Sequence, residues 1–82
     1  MKKIIIYSLS TCAHCRDTIR YIAGKGLEFT SIDIDLLEKK DLKRILAELK
    51  EVNPERTFPT TVIGGKTIIG YETELLEEAL GS

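Results

Sequence analysis

The chain has 82 residues, 12 Lys and Arg against 13 Asp and Glu, and a net charge of −1. That length makes one domain, residues 1–82, near the lower limit at which a chain buries enough apolar surface to fold alone. So even a charge balance argues against a nucleic-acid partner, and no segment approaches the roughly 20 apolar residues of a membrane span.

Lys2 and Lys3 before Ile4-Ile5-Ile6 imitate the start of a signal peptide, but the apolar stretch stops at Ser8, short of an h-region of roughly 7–15 residues. A cytoplasmic chain is expected. There the two cysteines would be kept reduced, which argues against a permanent structural disulfide.

Residues 3–7 read as a strand, β-branched and covered on both faces. Ser10 or Thr11 caps the helix that follows, whose apolar positions are Cys15, Ile19, Ile22 and Ala23, and Gly24 or Gly26 ends it. Residues 28–34 form a second strand, completing a right-handed parallel βαβ unit. Asp35 with Glu38 reads as a capping box for a helix with the stripe Leu42, Ile45, Leu46, Leu49, stopped at Asn53-Pro54. The charges from Glu38 to Glu51 form its solvated face. Thr60–Ile63 and Lys66–Ile69 make a hairpin around Gly64-Gly65. Thr73 caps a last helix with Leu75, Leu76, Ala79 and Leu80 facing inward. The order is β-α-β-α-β-β-α.

Cys12-Ala13-His14-Cys15 lies where the first strand feeds the first helix. Two cysteines three apart at a helix start sit on adjacent turns, close enough to join, and the pattern reads as a thiol–disulfide exchange site. Cys12 is the candidate nucleophile: the helix start draws a thiol down from its ordinary pKa of roughly 8.5. Cys15, one turn further in, is expected to be more buried and to resolve the mixed disulfide. Tyr7 is expected in the core. Cys12, His14 and Cys15 fall short of the four protein ligands of a structural zinc site, so no metal is expected.

This order, with the segment Tyr7–Cys15, Thr57-Phe58-Pro59 before the third strand and Gly70-Tyr71-Glu72-Thr73 before the last helix, resembles the glutaredoxin branch of the thioredoxin superfamily over essentially the whole chain. The resemblance implies a thioredoxin-like α/β fold, a four-stranded mixed sheet flanked by three helices, with the dithiol at the tip of the first. It also implies a cis peptide bond before Pro59, whose neighbouring backbone pairs with a bound peptide or glutathione by strand addition. Thr11, Ala13 and Arg16, together with Phe58, Pro59, Gly70, Tyr71, Glu72 and Thr73, are the expected substrate contacts. Phe58 and Tyr71 either form an apolar platform beside the dithiol or pack the hairpin. Arg16 either adds positive potential near Cys12 or is a solvated helix charge.

The chain departs from the family in three ways. Ala-His replaces the common Pro-Tyr between the cysteines. His14 resembles the oxidising members of the superfamily, where an imidazolium would favour the thiolate and make the disulfide more oxidising; the alternative is a solvated histidine. Leu9 stands where glutathione sites carry a lysine. Ile69-Gly70-Tyr71-Glu72-Thr73 keeps one of two usual glycines, although the Thr73 and Glu74 N–H groups can still hold a carboxylate.

The resemblance thus implies an oxidoreductase acting on protein disulfides or glutathione mixed disulfides, with no tightly bound cofactor and glutathione as a co-substrate at most. A second branch draws electrons from thioredoxin reductase and serves ribonucleotide reductase; its aromatic-serine-glycine-phenylalanine segment is partly echoed by Ile68-Ile69-Gly70-Tyr71. The electron donor, glutathione or thioredoxin reductase, stays open. A third family role is a dimeric carrier in which Cys12 of two subunits and two glutathiones hold an iron–sulfur cluster. Replacement of the proline by Ala13 permits it, while Cys15 and Leu9 weigh against it. A monomer is expected.

Overall fold

The run Ile4-Ile5-Ile6-Tyr7-Ser8 forms the inner strand of the sheet because it can be buried on both faces. In the computed structural model, which describes residues 2–81, this strand is β1 (Ile4–Ser8). It is followed by α1 (Ala13–Gly24), β2 (Thr30–Asp33), a 3₁₀ turn (Ile34–Leu36), α2 (Lys39–Val52), β3 (Thr60–Ile63), β4 (Lys66–Ile69) and α3 (Thr73–Gly81). The sheet runs β2-β1-β3-β4. β1 is parallel to β2 and antiparallel to β3, and β3 is antiparallel to β4. This is the mixed four-stranded sheet with three helices that the family resemblance implies.

Alternation along β1 divides the core. Ile4 and Ile6 pack with Ile22 of α1, Leu76 and Ala79 of α3, and Ile63 and Ile68 of the hairpin. Tyr7 faces the other way, with Ile34 and with Ile45 and Leu49 of α2. Tyr7 is a core residue, as expected; burial and then Glu48 push its hydroxyl up from its ordinary range. Gly64 at φ 60° opens the tight hairpin turn, and its N–H donates to the Lys3 carbonyl at 3.0 Å. No helix among the described residues is long and apolar enough to cross a membrane.

Several boundaries differ from the sequence expectation. α1 begins at Ala13 with Cys12 as its cap, not Ser10 or Thr11, because the Cys12 N–H closes a turn on the Leu9 carbonyl at 3.2 Å. At its far end Gly24 is the last helical residue, and Gly26, at φ 71°, follows in the left-handed conformation. β2 is shorter than 28–34: Phe29 packs against the α1/α3 core outside the ladder, and Ile34 turns into the 3₁₀ segment. The capping box does not form. Asp35 lies within the 3₁₀ turn, and Glu38 occupies the α2 cap without a side-chain bond.

In α3 the Leu76 N–H returns to the Glu72 carbonyl at 2.9 Å, so Thr73 is already inside the helix rather than capping it. Leu75 is 49% exposed: only the Leu76–Ala79–Leu80 stripe reaches the sheet. Ala23 is exposed too, because it lies beside the buried Ile22 stripe rather than on it.

Asn53 ends α2 and is 1% exposed. Its amide donates to the Thr57 carbonyl and hydroxyl at 3.3 and 3.1 Å and to Thr60 Oγ1 at 3.0 Å, while its Oδ1 accepts the Glu55 N–H at 3.2 Å. Thr61 is fully buried, and its hydroxyl has no hydrogen-bond partner. Asn53→Ala is therefore expected to lower stability by about 1–3 kcal/mol, whereas Thr61→Val should raise it by about 1 kcal/mol. Urea unfolding of both variants checks the two signs.

Candidate active site

The site begins where β1 runs out of apolar residues. Ser8 is fully buried, and its hydroxyl donates to the Asp33 carboxylate at 2.6 Å across the parallel β1–β2 pair. Arg16, one turn into α1, places its Nη2 2.9 Å from the same carboxylate oxygen and 3.3 Å from the Leu9 carbonyl. Arg16, though its side chain is 39% exposed, is thus ion-paired, and its charge reaches the Cys15 sulfur. It ties the first turn of α1 to the end of β2.

Past the sheet, the Ser10 N–H donates to Asp35 Oδ1 at 2.9 Å and the Ser10 hydroxyl to Asp35 Oδ2 at 2.5 Å. The hydroxyl and then the amide of Ser10 hold the Asp35 carboxyl below its ordinary range. Asp35 therefore holds the Leu9–Cys12 turn at Ser10, while Asp33 holds Ser8 and Arg16 on either side of it.

That turn presents Cys12. Its sulfur accepts the Cys15 N–H at 3.2 Å, satisfying one of the free donors at the helix start. Cys12 is half-buried; Cys15 is fully buried. Burial first, and then a side-chain hydrogen bond from the Cys15 thiol to Cys12, push the Cys15 thiol from 9.0 up to about 12; the Leu9 backbone and the Arg16 charge pull more weakly the other way. The two cysteines, both reduced, are thereby made unlike: one at the helix mouth, one a neutral thiol behind it.

Thr11, Ala13 and His14 are all exposed around Cys12. His14 holds the helix through its carbonyl, which accepts the hydroxyl of the buried Thr18 at 2.9 Å. The Phe58–Pro59 bond is cis, and the buried Pro59 accepts the Gly70 N–H on its carbonyl at 2.8 Å, joining two expected contact segments. Gly70 has φ 86°, a conformation that favours glycine. Glu72 and Thr73 follow, exposed, at the α3 start.

Phe58 packs against the cluster of Tyr7, Ile34, Ile45 and Leu49, and Leu9 packs there as well. Tyr71 meets Tyr21 edge-on at 6.3 Å. Tyr21 and Lys25 in turn bind Glu77, linking α1 to α3. Phe58 is thus part of the packing around α2, while Tyr71 touches α1 and stays 37% exposed.

Sequence reasoning missed Ser8, Ser10, Asp33 and Asp35. The available signal was the parallel βαβ unit itself. Once Ser8 stands opposite Asp33, Ser10 and Asp35 follow two residues on in each chain segment.

A glutaredoxin family model matches residues 4–68. The crystal structure of a glutaredoxin from Archaeoglobus fulgidus is 32% identical and superposes with a TM-score of 0.91, covering 100% of this chain and 89% of that one. Methanoredoxin from Methanosarcina acetivorans is 34% identical with a TM-score of 0.91, over 98% of this chain and 85% of that one. An uncharacterized glutaredoxin-like 8.6 kDa protein in the rubredoxin operon of Clostridium pasteurianum is 24% identical over 79 residues, 94% of this chain and 96% of that one. With the family model spanning most of the chain and the fold and cysteine pair in agreement, the chain belongs to the glutaredoxin family.

Proposed function

We propose that this glutaredoxin is a dithiol oxidoreductase that reduces protein disulfides, with Cys12 as nucleophile and Cys15 as resolving thiol. One observation carries the reading: Cys12 Sγ sits at the open mouth of α1, bonded by the Cys15 N–H at 3.2 Å, with the fully buried Cys15 one turn behind. A thiol pushed up to about 12 is a poor nucleophile at neutral pH, so the first attack falls to Cys12.

The Cys12 thiolate attacks one sulfur of a substrate disulfide. The other sulfur leaves and takes a proton from solvent, and a Cys12–substrate disulfide remains. Cys15 then loses its proton and attacks Cys12 Sγ, expelling the second substrate thiolate. The substrate gains two electrons and two protons, and Cys12–Cys15 becomes the oxidised pair. Return of the electrons falls to glutathione or to a thioredoxin reductase.

Protein rather than glutathione mixed disulfides are favoured by the position of Leu9. Where family glutathione sites carry a lysine, this side chain packs into the core beside Tyr7 and Phe58, so it offers no cation to a glutathione carboxylate. The buried cis-Pro59 provides backbone suited to an extended peptide, which strand addition binds through main chain. A cluster-bridging role would use Cys12 and leave the buried Cys15 idle, so the geometry supports it less.

The reading is tested by offering the oxidised protein two NADPH-linked systems, glutathione with its reductase and thioredoxin reductase alone, with insulin as the protein disulfide. Cys12→Ser is expected to abolish turnover. Cys15→Ser should retain only steps that glutathione completes through a mixed disulfide. Insulin turnover surviving in Cys12→Ser would refute the assignment.

Iodoacetamide at pH 8 should alkylate Cys12 and spare Cys15, as read by peptide mass spectrometry. The raised Cys15 value also has a sign for stability. The stabilisation by the buried neutral thiol is fully present below the ordinary thiol value of 9.0 and is lost as pH rises through about 12. Across that window the reduced protein should lose stability more steeply than Cys15→Ala, measured by denaturant unfolding at successive pH values.

A further inference from the structure

We infer that Asp35 is a positioning residue for Cys12, a two-pronged carboxylate clamp that sets the tip of the Leu9–Cys12 turn from outside the dithiol. The inference rests on the thiol–disulfide reading above and adds to it a residue outside the expected site. The turn is closed by the Cys12 N–H on the Leu9 carbonyl at 3.2 Å, and Arg16 holds that same carbonyl at 3.3 Å. Those two bonds fix the base of the turn and leave its tip, Ser10 and Thr11, to be held from elsewhere. Asp35 holds it through both hydrogen-bond donors of Ser10, the N–H at 2.9 Å and the hydroxyl at 2.5 Å.

Two contacts from one planar carboxylate fix orientation as well as distance. Ser10 is two residues before Cys12, so a tilt of the tip moves the sulfur relative to the Cys15 N–H that it accepts at 3.2 Å. Displacements on that scale near a reacting atom cost rate steeply.

Asp35 and Ser10 meet at the surface, where such a bond adds little to global stability. The clamp is also anchored in the fold. Ile34, between Asp33 and Asp35, is 6% exposed and packs with Tyr7, Ile45 and Leu49, so the segment cannot follow the turn if the turn shifts. Its effect is therefore local to the turn, and separable from folding.

The experiment compares wild type, Asp35→Ala, Asp35→Asn, Ser10→Ala and the Asp35→Ala/Ser10→Ala pair. Glu51→Ala, an exposed carboxylate on α2, serves as control. Two readouts are taken: the rate at which Cys12 attacks 5,5′-dithiobis(2-nitrobenzoate) in a Cys15→Ser background, and the equilibrium of the Cys12–Cys15 disulfide with glutathione. Melting temperatures accompany both.

Asp35→Ala is expected to slow the attack about 10-fold and to move the glutathione equilibrium at an almost unchanged melting temperature. Asp35→Asn should recover most of the loss, since its Oδ1 still accepts the Ser10 N–H and its amide can donate to the hydroxyl oxygen. The double variant should be little worse than Asp35→Ala alone, the mark of two groups in one interaction. Should Asp35→Ala not fold, Ser10→Ala carries the same comparison with a smaller expected loss.

Rates and equilibria of Asp35→Ala and Ser10→Ala equal to those of Glu51→Ala would overturn the inference, as would an Asp35→Asn variant no better than Asp35→Ala. A wild-type disulfide that glutathione does not reduce, together with a reduced Cys12 that does not attack 5,5′-dithiobis(2-nitrobenzoate), would instead overturn the proposed function.

Discussion

A buried hydroxyl at the end of the central strand governs how the dithiol is held. β1 is apolar until Ser8, which is fully buried and must find a partner inside the protein. In the parallel register that partner is Asp33, directly across on β2. A carboxylate so placed needs a cation, and Arg16 supplies it from the first turn of α1. One unsatisfied group at a strand end thus recruits an acid, and the acid recruits a base from the helix that carries the cysteines. The same register, two residues further along both segments, sets Ser10 beside Asp35.

On this frame the chemistry is divided by burial. Cys12 and Cys15 are alike in composition and one turn apart, yet one takes up a helix cap and the other has no exposed surface. Desolvation disfavours the anion most where water is excluded, and it is the largest influence on Cys15. The order of the two attacks in the proposed cycle follows from that asymmetry. Arg16 faces both sides of it: its charge favours the Cys15 anion, but its ion pair with Asp33 spends much of that field on the framework.

Much of the fold was legible in the sequence, and the exceptions share a cause. β3, β4 and the Gly64-Gly65 turn lie where alternation and turn residues put them, because a hairpin is decided locally. The α2 stripe is similarly local: Ile45 and Leu49 are buried and Leu42 and Leu46 partly so. Asp35 misled because its short polar side chain suits a helix cap, and only a contact 25 residues away in sequence removes it from that role. Ser10, which with Thr11 suits a cap for α1, is taken from that role by the same contact. Leu75 looked inward by composition, but α3 rests on the sheet along a narrow stripe that its position misses. At the candidate site the cysteine pair was visible as a motif, and the cis bond before Pro59 followed from the family resemblance. The Asp33-Ile34-Asp35 grip was not, since no spacing within one segment encodes a pairing between two.

Beside the end of β1, where Thr60 pairs with Tyr7, the Pro59 segment is held in a different way. Asn53 satisfies Thr57 and Thr60 with one amide, and Pro59 shares its carbonyl with the Gly70 N–H. These bonds are neutral, and Asn53 and Pro59 are both buried. The turn bearing Cys12 is held instead by two carboxylates and a guanidinium, with Arg16 and Asp33 39% and 27% exposed. Salt screens the second kind of restraint and leaves the first nearly untouched. The apolar, hydrogen-bonded part of the site therefore behaves as a fixed surface. The electrostatic part carries the nucleophile, and it is the part that solvent conditions can loosen without unfolding the domain.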